Sequence, residues 1–193
     1  MKKYIPNRWK REIKYGLRNI VESLRYYVLD NRLDPRSLSC KGPVVFVCKG
    51  NVCRSAFAEA RMQMLAGPEA DNACSCGLDV DPDSPPPPAA VKTALAFGCD
   101  LSGRRARKVK DCNIKGAGLI LAMEYSQWRA LTAMFPEKKE HIRLLRQYAP
   151  FPFFLFCNID DPYGWEEPVF QTSFRLIDKG LRGLLAGDGK KPL

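Results

Sequence analysis

Pro43-Val44-Val45-Phe46-Val47-Cys48-Lys49-Gly50-Asn51-Val52-Cys53-Arg54-Ser55 changes character abruptly at Cys48. The apolar, β-branched run Pro43 to Val47 suits a short buried parallel strand, while Ala56 to Leu65 is rich in helix formers. The loop between them therefore runs from a strand end into a helix start. Unpaired backbone N–H groups and the helix dipole make such a junction an anion cradle of phosphate size. Cys48 enters it from the strand, and the same N–H groups together with Arg54 favour its thiolate, marking it as a nucleophile. Arg54 supplies a planar fork able to grip two oxygens of a phosphoryl group. Gly50 and Asn51 are the residue types that accept positive φ most readily, which suits a loop whose N–H groups must converge. Lys49, Val52 and Cys53 complete the loop, and Ser55 is placed to donate its hydroxyl to the Cys48 sulfur and help it leave.

Val-Cys-x-Gly-Asn-x-Cys-Arg-Ser after an apolar strand resembles the low-molecular-weight protein tyrosine phosphatases. The resemblance extends from about Pro43 to Leu185 and implies an α/β fold, a four-stranded parallel sheet with helices on both faces. It also implies hydrolysis of a phosphomonoester through a phosphocysteine, with neither metal nor other cofactor. The alternation of apolar runs with amphipathic segments leads to the same fold class independently. Asn158-Ile159-Asp160-Asp161-Pro162-Tyr163-Gly164 contains the family's Asp-Pro-Tyr, so Asp161 is the expected proton donor, held extended by the following proline. Ser75 inherits by resemblance the support of Asn51. Asp81 and Tyr163 fall at the substrate rim, where relatives carry more aromatic residues. Phosphotyrosine is the default substrate, with phosphoarginine or a small phosphoester as alternatives. Three positions depart from the pattern: Arg104 replaces a histidine that buttresses the loop, Glu124 replaces an aspartate, and Ala56 replaces a proline.

The chain has 193 residues and a formal charge of +10, enough length for one well-buried domain with an appendage. Residues 1–42 hold eleven Lys or Arg against four Asp or Glu, a balance of +7. The basic character is thus mostly N-terminal, and the division expected is a basic helical extension with linker over 1–40 and a catalytic domain over 41–193. Residues 8–29 read as an amphipathic helix with Trp9, Ile13, Leu17, Ile20, Leu24 and Tyr27 on one face. That face must be buried. It packs on the catalytic domain, pairs with a second copy, or adsorbs to an anionic membrane surface. Every catalytic group lies beyond Cys40, so removal of residues 1–38 is expected to leave turnover intact.

With no secretion signal and no apolar stretch of spanning length, a cytoplasmic protein is expected. The eight cysteines then read as mostly reduced, and Cys74-Ser75-Cys76 lacks metal-site spacing. Arg104 to Arg107 reads as a solvated face rather than a nucleic-acid patch. Pro85 to Pro88 is a stiff entry to a helix, and His141 has no catalytic role. Two rival functions remain: an arsenate reductase passing oxidation to further cysteines among Cys74, Cys76, Cys99 and Cys112, and a module that binds phospholigands without turnover.

Overall fold

A computed structural model describes residues 8–30, 42–67 and 73–187. Four short strands, β1 (Val44–Cys48), β2 (Cys74–Gly77), β3 (Leu119–Ala122) and β4 (Ile142–Leu144), form a wholly parallel sheet in the order β2-β1-β3-β4. Nearly every strand residue is buried, as a parallel sheet covered on both faces requires. The helices are α1 (Arg8–Arg25), continued by a π-helical turn Tyr26–Asp30, then α2 (Arg54–Ala66), α3 (Pro88–Leu95), α4 (Tyr125–Met134) and α5 (Glu167–Gly187). β1 is central, and the chain returns to its left as β2 and to its right as β3. The crevice at its carboxyl end is therefore the topological switch point at which such sheets bind ligands.

Alternation along β1 divides the core. Phe46 faces the layer of α2, α3 and α5, where Phe57 stacks on Phe174 with ring centres 4.0 Å apart. Val45 and Val47 face α4, with Trp128 and Leu131. Tyr26 also belongs to this second layer: it is fully buried, edge-on to Trp128, and its hydroxyl donates to Gln147 Oε1 at 2.6 Å and accepts from Leu144 N at 3.2 Å. Burial pushes the Tyr26 phenol far above its ordinary range.

The orientation of α1 overturns one of the three expected dockings, packing of its apolar face on the catalytic domain. Its apolar stripe faces out, with Ile13, Leu17, Ile20 and Leu24 all exposed. The polar side carrying Asn19 and Ser23 is the one that packs inward. The reason is hydrogen bonding: the segment at 157–158 presents backbone N–H groups that need acceptors, and a leucine face offers none. Tyr27 is half-buried; the Trp9 side chain, the proposed boundary near residue 40 and the linker at 31–41 lie outside the described residues. No helix among the described residues is long and apolar enough to cross a membrane.

Two glycines test the packing. A Cβ on Gly183 would stand 1.8 Å from the Tyr148 carbonyl oxygen, whereas one on Gly16 meets nothing within 4 Å. Gly183→Ala should lower stability by about 1–3 kcal/mol, as overpacking does. Gly16→Ala, in an open helix interior, should raise it by up to about 1 kcal/mol. Urea denaturation of both variants measures the contrast.

Candidate active site

The loop from Cys48 to Ser55 closes on the sulfur. Asn51 N lies 3.2 Å from Cys48 Sγ, and Ser55 Oγ lies 3.0 Å from it. Asn51 alone takes the left-handed conformation, φ 56°, and Gly50 does not. The positive φ expected of Gly50 is thus corrected, because one left-handed residue suffices to turn the N–H inward. The closer constraint falls on Gly77 at the end of β2, where a Cβ would lie 2.6 Å from Lys49 O and 3.0 Å from Asn51 N. Backbone bonds from Leu78 N to Cys48 O and Asp79 N to Lys49 O clamp the loop to this segment.

Arg54 opens α2 with its side chain 1% exposed. Nη1 donates to Glu124 Oε1 and, at 2.9 Å, to Ile159 O, while Nη2 lies 2.7 Å from Asp161 Oδ2. Burial alone would lower its pKa, but the carboxylates of Asp161 and Glu124 outweigh burial and hold it above its ordinary value. The fork is therefore charged and fixed by Glu124, the Ile159 carbonyl and Asp161. Asp161 also accepts from Tyr163 N at 3.2 Å. Burial, reinforced by the Cys48 and Asp161 charges, pushes the neighbouring Cys53 thiol strongly upward.

Behind the loop stands a polar network. Asn51 Nδ2 donates to Ser55 Oγ and Ser75 Oγ at 2.9 and 2.8 Å, and Asn51 Oδ1 accepts from Arg107 N at 2.8 Å. Ser75 Oγ donates to Glu59 Oε2 at 2.6 Å, and that oxygen also meets Arg104 Nη1 at 2.9 Å and Arg107 Nη2 at 2.7 Å. Arg104, in the place of a supporting histidine, thus reaches the loop through Glu59. The solvated-face reading fails for Arg104, which the buried Glu59 carboxylate draws inward; Arg107 reaches the same carboxylate while its side chain stays exposed. Arg105 remains exposed.

A cleft of about 450 Å³ opens over the sulfur, lined by Cys48, Lys49, Gly50, Val52, Cys53, Asp79, Asp81, Ser84, Pro85, Asp161, Tyr163, Trp165 and Tyr15. All the residues singled out in sequence for the loop, the acid and the rim are brought together here or directly behind it. Sequence reasoning missed Glu59, Trp165 and Tyr15, and saw in Glu124 only a substitution. Glu59 had a signal in its spacing, one helical turn beyond Ser55; Tyr15 had none, being remote in the chain. Of the cysteines, Cys74 and Cys112 lie 3.6 Å apart, yet Cys74 pairs with Val45. It therefore sits three residues back from Cys48 along the sheet, about 10 Å. No cluster among the described residues has the donors to hold a metal ion.

The low molecular weight phosphotyrosine protein phosphatase family matches residues 43–191. The chain belongs to this family. It is accordingly a cysteine-dependent phosphatase. It is 31% identical over 139 residues to a probable low molecular weight protein-tyrosine-phosphatase, EpsP, of Ralstonia solanacearum, covering 72% of this chain and 90% of that one. The solved low molecular weight protein tyrosine phosphatase of T. tengcongensis superposes with a TM-score of 0.67 at 28% identity, over 76% of this chain and 99% of the other. A protein-arginine-phosphatase of Bacillus subtilis is 24% identical, covering 73% of this chain and 93% of its own length. α1 lies outside the matched residues.

The Glu59 hub yields a prediction. Glu59→Gln removes the charge that holds two arginines, and should destabilise the protein by about 1.5–3 kcal/mol, the range for hydrogen bonds to charged groups. Hydrolysis of p-nitrophenyl phosphate should fall with it. Arg105→Gln, on the exposed neighbour, should stay within about 0.5 kcal/mol of the parent in urea titrations.

Proposed function

We propose that Cys48 attacks the phosphorus of a phosphotyrosyl group in line, with Asp161 donating a proton to the phenolic oxygen, to leave a phosphocysteine. Water then attacks this intermediate while Asp161 takes its proton, and phosphate departs. Asp161 thus serves the first step as acid and the second as base. Arg54 and the loop N–H groups hold the charge on the equatorial oxygens in both transition states, and Ser55 donates to the departing sulfur. Ser75 and Asn51 keep the loop in shape. The observation that carries this reading is the meeting of Asn51 N and Ser55 Oγ at the Cys48 sulfur, beside a guanidinium whose second nitrogen reaches Asp161.

Substrate follows from the cleft walls. Val52, Pro85, Tyr163, Trp165 and Tyr15 present apolar and aromatic surface, suited to a phenyl ring. Asp81 favours phosphoarginine less, because its Oδ2 already accepts Ser84 Oγ at 2.9 Å. Relay to a second cysteine pair, as in arsenate reduction, is disfavoured by the position of Cys74 and Cys112.

Cys48→Ser and Arg54→Lys should each reduce kcat/KM for a phosphotyrosine peptide by on the order of a hundredfold or more. Asp161→Asn should slow phenyl phosphate more than p-nitrophenyl phosphate, whose leaving group hardly needs a proton. Trapping of phosphocysteine in rapidly quenched wild-type protein tests the intermediate directly. Faster turnover of a phosphoarginine peptide than of the phosphotyrosine peptide would overturn the substrate assignment.

The partner surface we assign to the outer face of α1 is an anionic membrane, with the catalytic cleft on the aqueous side. Ile13, Leu17, Ile20, Val21, Leu24 and Val28 are each more than half exposed, and Tyr27 links this stripe to exposed Phe154 through a 2.6 Å bond from its hydroxyl to the Phe154 carbonyl. Exposed Lys14 and Arg25 flank the stripe, giving the charge that anionic head groups attract. The same positive charge opposes pairing of two such helices. The full chain should float with phosphatidylglycerol-containing vesicles and not with phosphatidylcholine alone, and release in high salt. Leu17→Glu with Leu24→Glu should abolish flotation and leave turnover unchanged. No flotation by the parent, or a parent dimer that this double variant dissociates, would overturn the assignment.

A further inference from the structure

The inward face of α1 is fastened to the segment that carries the acid. Ser23 Oγ accepts from Cys157 N at 2.8 Å, Asn19 Oδ1 accepts from Asn158 N at 3.2 Å, and Glu22 Oε2 accepts from Asn158 Nδ2 at 2.5 Å. Residues 157 and 158 lead directly to Asp161. One helical turn earlier, Arg18 Nη2 donates to Glu124 Oε2 at 3.0 Å and stands 3.9 Å from Asp160 Oδ1. Glu124 is the carboxylate whose other oxygen accepts from Arg54. Two guanidiniums, one from α1 and one from the phosphate loop, thus share one carboxylate. The Arg18 guanidinium also lies 4.8 Å from the centre of the Tyr15 ring, a cation–π contact between residues three apart on one helix face. Tyr15 in turn lines the cleft beside Cys48, Tyr163 and Trp165.

We infer that α1 is a wall of the active site: Tyr15 is a specificity-determining residue that contacts the aryl group of the substrate, and Arg18 is a positioning residue for Arg54. This rests on the phosphatase reading above. Tyr15 restores aromatic surface to a rim where sequence alone shows only Tyr163 and Gly164. Its body offers ring-to-ring contact to a phenyl ester and nothing comparable to a phosphate without a ring. Arg18 acts through charge. With Arg18 in place, Glu124 divides its negative charge between two cations, and Arg54 keeps its attraction for a dianionic phosphate. Without it, Glu124 draws on Arg54 alone and adds net negative charge near the bound anion. On this inference, removal of residues 1–38 lowers turnover, contrary to the expectation from sequence.

The full chain is assayed on p-nitrophenyl phosphate and on acetyl phosphate, which has a good leaving group and no ring. Tyr15→Ala should lower the ratio of kcat/KM values, aryl over acetyl, by about three- to tenfold, the worth of one aromatic contact. Tyr15→Phe should preserve the ratio. Arg18→Gln should raise the inhibition constant of inorganic phosphate about tenfold at pH 7, and Arg18→Lys, which keeps the charge, should recover most of it. An unchanged aryl-to-acetyl ratio in Tyr15→Ala overturns the specificity role. A lowered melting temperature with an unchanged phosphate constant in Arg18→Gln overturns the positioning role and leaves Arg18 merely structural. Should Arg18→Gln fail to fold, Arg18→Lys decides alone: a phosphate constant within twofold of the parent supports the charge argument, and a tenfold rise overturns it. Failure of the parent to hydrolyse either ester would instead sink the phosphatase reading itself.

Discussion

A guanidinium taken out of water needs charged or polar partners, and Arg54 is almost wholly enclosed. Its compensation comes from three places in the chain: Glu124 after β3, the Ile159 carbonyl, and Asp161 beyond it. Those groups meet because β1 and β3 are neighbours and parallel, so that both strand ends open on the same crevice. The loop between Met123 and Tyr125 is itself tied to the acid segment, by Ile159 N to Met123 O at 2.8 Å and Tyr125 N to Asn158 Oδ1 at 2.7 Å. One buried charge therefore couples the Cys48 loop, the end of the third strand and the Asp161 loop. Removing either carboxylate would leave the buried cation with a single charged partner, a costlier change than the loss of a surface ion pair.

What was legible in the sequence was what local chemistry dictates. The change from β-branched strand to helix formers at Cys48, the one positive φ at Asn51 and the Asp-Pro pair each carry their conformation in residue type. The four strands follow from short apolar runs, since a parallel sheet buried on both faces leaves no alternation to misread. What was not legible depends on distance across the fold. Glu59 has the look of an ordinary helix-surface glutamate. Only the approach of Ser75, Arg104 and Arg107 makes it the support that a histidine would otherwise provide. Gly50 was expected to share with Asn51 a positive φ that the structure gives within the loop to Asn51 alone, the close approach falling on Gly77.

The helix α1 is the clearest case of a physical rule that leaves the orientation open. Its apolar periodicity is real, but amphipathicity states which two faces a helix has and not which one meets the rest of the chain. The catalytic unit offers at this edge unpaired backbone N–H groups, the amide of Asn158 and the carboxylate of Glu124. Asn19, Ser23, Glu22 and Arg18 satisfy these, and Tyr26 adds a large buried side chain. Polar complementarity can decide the docking because leaving a buried polar group unpaired costs about as much per group as leaving a leucine in water.

That inversion joins the two surfaces of α1. An isolated helix of this length is marginal in water, so its order depends on what holds its faces. The inward face is held by the acid segment and Glu124; the outward face is held only when something apolar covers it. Adsorption of the outward face to a lipid surface and docking of the inward face both require the same helical state, and each therefore favours the other. By linkage the effect is reciprocal in free energy: whatever membrane adsorption adds to the order of α1, it adds to the population in which Arg18 sits on Glu124 and Tyr15 walls the cleft. The size of the effect is set by how incompletely α1 is docked in solution, since a helix already fully docked has no population left to shift.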